Sequence, residues 1–399
     1  MKAMKQLSII GLTGLLVACG GGGGGSDSGS SGTGGTDGTG NTGGTGGTGG
    51  TGGQTTTLES ELAKWIVDMA DGYIIPAYQE LNTASTELQQ ASMACSQAGF
   101  GQTELTSIQS AWQQAFNKWQ SIQWLKLGPV INSDSPAHFR MQFMPFDIED
   151  VDRKIFTLLE STETVTADTL VSTNVRAQGF PALEVLLYSG SSDESLLSAS
   201  NKDKRCEVVQ AISNSLVDMS STIVTEWSAD GGNYRANFVD GTGEFTGQVD
   251  VVEEVVTNYL EFLELVKDEK MLIPVATTKP GFPLVAEAPR SDTSLGYIQT
   301  NVQALIDIYT AKGGHGFDDI LNVHLEQTSI ATQMNDALTK TQTAINSLSG
   351  SYADALNDDI KRETLNEVID SLRDFRTVLT ADFVQAMDLN IGFNSNDGD

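Results

Sequence analysis

Glu184 is the one charged side chain in the apolar run Phe180-Pro181-Ala182-Leu183-Glu184-Val185-Leu186-Leu187, and that isolation makes it the first candidate for chemistry. A carboxylate withdrawn from water needs a cation, a metal, several hydrogen-bond donors or a proton. Two readings follow. Glu184 either caps nearby amides or pairs with an arginine such as Arg153 or Arg176, or it is the ligand for a cation or a polar molecule. Trp112, Trp119 and Tyr188 could line a pocket with it, although aromatic residues at helical spacing ordinarily fill a core.

The other reactive residue types offer less. The three histidines, His138, His315 and His324, form no His-Glu-x-x-His pair that would set two imidazoles on zinc, and each reads as a surface or capping residue. No Gly-x-Ser-x-Gly elbow stands in the part of the chain expected to fold, so a peptidase has no visible machinery. Asp147, Glu149, Asp150 and Asp152 follow Pro145 as an acidic cluster at a helix start. Carboxylates suit hard cations such as ferric iron or calcium, but helix-dipole complementation accounts for most of this cluster. With Cys19 set aside for a lipid, Cys95 and Cys206 are expected to pair. In the chain-entropy model a loop of about 110 residues makes such a bond worth roughly 4 to 5 kcal/mol.

The elements that must position these residues are helical. Leu365, Val368, Leu372, Phe375, Leu379 and Phe383 recur at spacings of three and four. So do Val209, Ile212, Leu216, Met219 and Ile223, and a third stripe joins Leu321, Leu325, Met334, Leu338, Ile345 and Leu348. No alternating β-branched run bounded by hairpin turns appears, so the class is all-α. Pro181 suits the first position of a helix, with Gly179 in the turn before it and Glu184 in or just after the first turn. Pro274, Pro280, Gly281, Pro283 and Pro289 interrupt the pattern and read as a linker over 271–290, between a first helical lobe at 57–270 and a second at 291–399. The net charge of −29 disfavours nucleic acid and anionic lipid as partners.

The N-terminal segment sets the location. Lys2 and Lys5 precede an apolar stretch that ends in Leu16-Val17-Ala18-Cys19, too short to span a bilayer, so residues 1–18 read as a lipoprotein signal cut before a lipidated Cys19. Gly rather than Asp at position 20 resembles the sorting pattern of the outer membrane over the inner. Residues 19–56 are almost only Gly, Ser, Thr, Asp and Asn, a flexible tether with a reach of about 30 to 35 Å. The expected product is an outer-membrane lipoprotein facing the periplasm or the cell surface, held to the membrane through its lipid alone.

Gly179-Phe180-Pro181-Ala182-Leu183-Glu184 resembles the Gly-x-His-x-x-Glu signature of the imelysin family, with Pro181 in place of the histidine. Trp112 and Trp119 lead into Gly128-Pro129, Arg205-Cys206 opens a helix ending at Trp227, and the chain closes with Gly392-Phe393-Asn394-Ser395-Asn396-Asp397-Gly398-Asp399, all similar to the family. The resemblance implies two four-helix-bundle lobes related by a distant internal duplication, with the signature where they meet. It also implies an envelope location, an association with iron uptake and a peptidase activity. Pro181 removes the signature's imidazole, which speaks against proteolysis and weakens metal binding there. The expected function is a binding component for iron or another metal, working with an iron-uptake partner protein. Gly179, Pro181, Glu184, Tyr188, Trp112 and Trp119 are then ligand-binding residues, and Glu184 is the metal-binding one. The alternatives are an imelysin-type peptidase and an envelope scaffold protein.

Overall fold

The computed structural model describes residues 57–144, 147–188 and 196–391; the Cys19 lipidation site, the tether and the C-terminal segment 392–399 lie outside the described residues. Thr55–Asp399 forms one compact unit. Among the described residues all regular structure is helical. The long helices are α1 (58–92), α2 (Gln102–Ile122), α3 (Ile148–Glu160), α4 (Gly179–Leu187), α5 (Lys202–Trp227), α6 (248–275), α7 (Ser294–Tyr309), α8 (Thr328–Ser347) and α9 (359–386).

The apolar stripes become core. Leu365, Val368, Leu372, Phe375, Leu379 and Phe383 are all buried, as are Val209, Ile212, Leu216, Met219 and Ile223; in the third stripe only Leu325 stays partly open. Helix starts follow local chemistry: Thr57 accepts from Ser60 N, Asp147 from Asp150 N, and Asp358 from the amides of Ile360 and Lys361. Both α1 and α6 widen into a π turn, over Met69–Ile74 and Leu265–Leu272. Each wide turn is followed by a proline, Pro76 and Pro274, which lacks the amide that a regular turn would use.

Side-chain bonds give the helix pairing. Lys118 to Glu80 and Tyr73 to Ser121 O run α2 antiparallel to α1. Gln89 to Asn214 and Gln210 to Ser96 do the same for α5, and the Cys95–Cys206 disulfide, 5.5 Å between Cα atoms, closes that pair. In the second set, Tyr259 Oη donates to Leu305 O between α6 and α7, Gln342 to Gln303 between α8 and α7, and Arg376 to Glu264 between α9 and α6.

The stretch 271–290 is not an exposed connection along its length. Met271 and Val275 are buried within α6, and Ala286, Glu287 and Ala288 pass back through the interior. Between those buried ends, residues 277–285, with Pro280 and Pro283, run largely exposed.

Candidate functional site

The carboxylate at 184 is positioned by an unusual helix start. Gly179 opens α4 with φ +69°, where a Cβ would lie 2.1 Å from Met141 O and 2.4 Å from Arg140 O, so the backbone at 179 fits under the short helix Ala137–Met141 only as glycine. Pro181 is therefore the third residue of α4 and not the first, a place it fills because first-turn amides have no intrahelical partner. Glu184 falls in the second turn and is fully buried.

Its partners are neither of the arginines the sequence pointed to. Arg153 and Arg176 pair with Asp150, at 2.7 and 2.9 Å. Glu184 Oε1 instead accepts from Arg290 N, Ser291 N and Ser291 Oγ, each at 2.9 Å. The guanidinium of Arg290 turns to Asp152. Glu184 Oε2 is buried with no hydrogen-bond partner. Burial pushes the carboxyl up to about 7, against the pull of the Ser291 and Arg290 donors.

Around Glu184 the aromatic residues of α2 and α7 close in. Trp112 Nε1 donates to Phe180 O at 3.0 Å, and the Trp112 ring lies 5.3 Å from that of Tyr188. Phe116 stacks on Phe180 at 4.7 Å and packs against Tyr297 at 4.6 Å. Gln113 Nε2 holds Tyr188 Oη at 2.9 Å. The Tyr297 hydroxyl is buried beside Thr293 and makes no hydrogen bond of acceptable geometry. Burial, with Glu287 and Glu184 nearby, raises this phenol far above its usual range. Tyr297 and Gln113 also line a cleft of about 530 Å³ between α2, α7 and the turn after α8, whose wall is rich in amides and hydroxyls: Gln114, Asn117, Thr293 and Gln299.

Trp119 does not join this group. Two turns along α2, its Nε1 donates to Gln142 Oε1 at 2.9 Å and its ring meets His138. Gln142 belongs to a second buried cluster centred on Glu287, whose Oε1 accepts from Gln142 and from Gln120 at 2.9 Å. Lys270 Nζ lies 3.1 Å from Glu287 Oε2 and donates to Gln120 Oε1 and Asn301 Oδ1 at 2.7 and 2.8 Å. Burial lowers the Lys270 ammonium and Glu287 offsets it. One short segment thus carries Glu287 to this cluster and the amides of Arg290 and Ser291 to Glu184.

Three members of the acidic cluster have structural roles: Asp147 caps α3, Asp150 takes two arginines and Asp152 takes Arg290, while Glu149 lies exposed in the first turn of α3. His138 is buried and not a surface or capping group; its Nε2 is 2.9 Å from Gln123 O, and burial depresses it to about 4. His315 Nε2 lies 2.8 Å from Glu61 Oε2, at the far end of α1. Among the described residues no three His, Cys, Asp or Glu side chains gather as a metal-holding group.

An all-helical body with a fully buried carboxylate on a glycine-opened helix, and a cleft lined by Tyr297 and Gln113 nearby, defines the class. The sequence model of the Imelysin family matches residues 74–379, and the chain belongs to that family. Among solved structures, an imelysin-like protein from Psychrobacter arcticum 273-4 superposes with a TM-score of 0.69 at 19% identity, over 85% of this chain and 98% of that one. A protein named iron-regulated protein A precursor, from Parabacteroides distasonis ATCC 8503, follows at 0.62 and 16% identity, over 84% and 97%. At these identities the likeness is one of fold. No curated protein matches.

Proposed function

We propose that the protein is a binding component of the cell envelope connected with iron acquisition, and that it meets its ligand where Glu184, Tyr188 and Tyr297 converge behind the amide-lined cleft. The carrying observation is that Glu184 Oε2 and the Tyr297 hydroxyl are both buried without hydrogen-bond partners. Orphaned polar groups of this kind cost stability, which a ligand supplying the missing partner recovers. Carboxylate and phenol oxygens are hard donors suited to ferric iron or calcium, bare or carried in a polar chelate. The iron-regulated naming of a protein with the same fold agrees with that choice. Pro181 occupies the position of the signature histidine and His138 points to Gln123, so a binding role fits the residues better than a peptidase role. A lipid on Cys19 would place the body on the periplasmic face of the outer membrane or at the cell surface, beside an iron-uptake partner protein.

Calorimetric titration of the protein with ferric citrate and with calcium tests this. Glu184→Gln keeps the acceptor for the three donors and removes the charge. It should weaken binding at least about tenfold, as loss of one charged hydrogen-bonding partner does. Undiminished binding by that variant would reject Glu184 as the site.

A further inference from the structure

A separate cavity of about 480 Å³ lies between the segment 129–140 and one side of α5. Arg140 forms part of its wall while being nine-tenths buried. Its guanidinium is aimed by two fixed acceptors: Nε donates to Gln178 Oε1 at 2.9 Å and Nη2 to Ser215 Oγ at 2.8 Å. Among the described residues no carboxylate comes within ion-pair distance of Arg140, and Nη1 donates to no protein acceptor. A buried guanidinium ordinarily has a carboxylate or phosphate in its fork. Arg140 lines the cavity without such a partner in its fork, and the charge acting on it is that of Asp218, another lining residue. Met219 and Ile223 supply an apolar wall, and Asp218 sits at the exposed rim, one helical turn from Thr222 on the same α5 edge.

We propose that this cavity is a second binding site, for a small zwitterion of the amino-acid type, with Arg140 Nη1 taking the carboxylate, Asp218 the ammonium, and Met219 and Ile223 the alkyl group. Asp218 and Glu226 on the rim work against a compact dianion such as phosphate, whereas a ligand carrying its own ammonium turns the Asp218 charge to advantage. The site shares no residue with the Glu184 group, so the two stand or fall separately.

The test is calorimetric titration of the full chain in detergent with L-leucine, isocaproate, isoamylamine and inorganic phosphate, the first three sharing an alkyl chain. L-Leucine should bind saturably, isocaproate about tenfold more weakly, and the amine and phosphate not at all. Because Arg140 also holds Gln178, its substitution endangers the fold, and Thr222→Trp carries the decision instead. Thr222 is exposed on the cavity mouth, so a tryptophan there should abolish leucine binding without moving the melting temperature. Asp218→Asn should lower leucine affinity about tenfold while that for isocaproate does not fall, since a charge repelling its carboxylate is removed. Absence of saturable leucine binding, leucine binding unaffected by Thr222→Trp, or isocaproate or phosphate binding as tightly as leucine would overturn the assignment.

Discussion

At the scale of single residues, Glu184 ties the site to the pH dependence of the fold. Its carboxyl is raised to about 7 by burial, above the ordinary 4.5. A carboxyl raised on folding contributes stability that is full below its unfolded value and is lost as pH climbs through the folded one. The window is therefore about pH 4.5 to 7, and the loss is on the order of 3 kcal/mol. Glu184→Gln removes the titration and keeps the acceptor, so the variant should gain on the parent as pH rises. Thermal melts of both at about pH 5 and about pH 8 check this, and a melting-temperature difference that stays constant between them would refute it. The comparison with the parent cancels His138, whose depressed value acts oppositely, costing stability as pH falls from about 6.5 toward 4. Glu184 was legible in the sequence because a lone charge in an apolar run has few fates. Glu287 and Tyr297 were not. Glu287 sits among prolines that hide its burial, and Tyr297 is one aromatic in a helical stripe, with nothing local to say that its hydroxyl lacks a partner.

At the scale of elements, the helices were readable from their spacing, but the bonds between them were not, since these join residues far apart in the chain. Lys270 on α6, Gln120 and Gln142 before and after the turn that follows α2, Asn301 on α7 and Glu287 make one buried knot from five places. Nothing in the sequence links Lys270 with Glu287. Removing one member of such a pair leaves an uncompensated buried charge, which costs about 3 to 5 kcal/mol. Lys270→Met should therefore destabilise by about that amount in denaturant melts. The double variant with Glu287→Gln should recover much of the loss, because the stranded carboxylate is then neutral. Strictly additive losses would show that the two side chains do not couple. By contrast, the Cys95–Cys206 bond was readable from chemistry alone, because two cysteines remain once Cys19 is set aside.

At the scale of the molecule, charge and length decide how the protein meets its surroundings. Among the described residues no helix is long and apolar enough to cross a membrane. The net charge of −29 repels anionic headgroups, so the folded body has little reason to adhere to a bilayer unaided. On the envelope placement proposed above, membrane attachment would rest on a lipid at Cys19, whose setting after Leu16-Val17-Ala18 and before a Gly-rich tether is visible in the sequence alone. Cys19→Ser removes the attachment atom and leaves the body from Thr57 onward untouched. It should shift the protein from the membrane pellet to the soluble fraction of fractionated cells, while its melting temperature and its Cys95–Cys206 bond stay as in the parent. A Cys19→Ser protein that still sediments with membranes would mean that the body itself holds a membrane partner, and the single-anchor reading would be wrong.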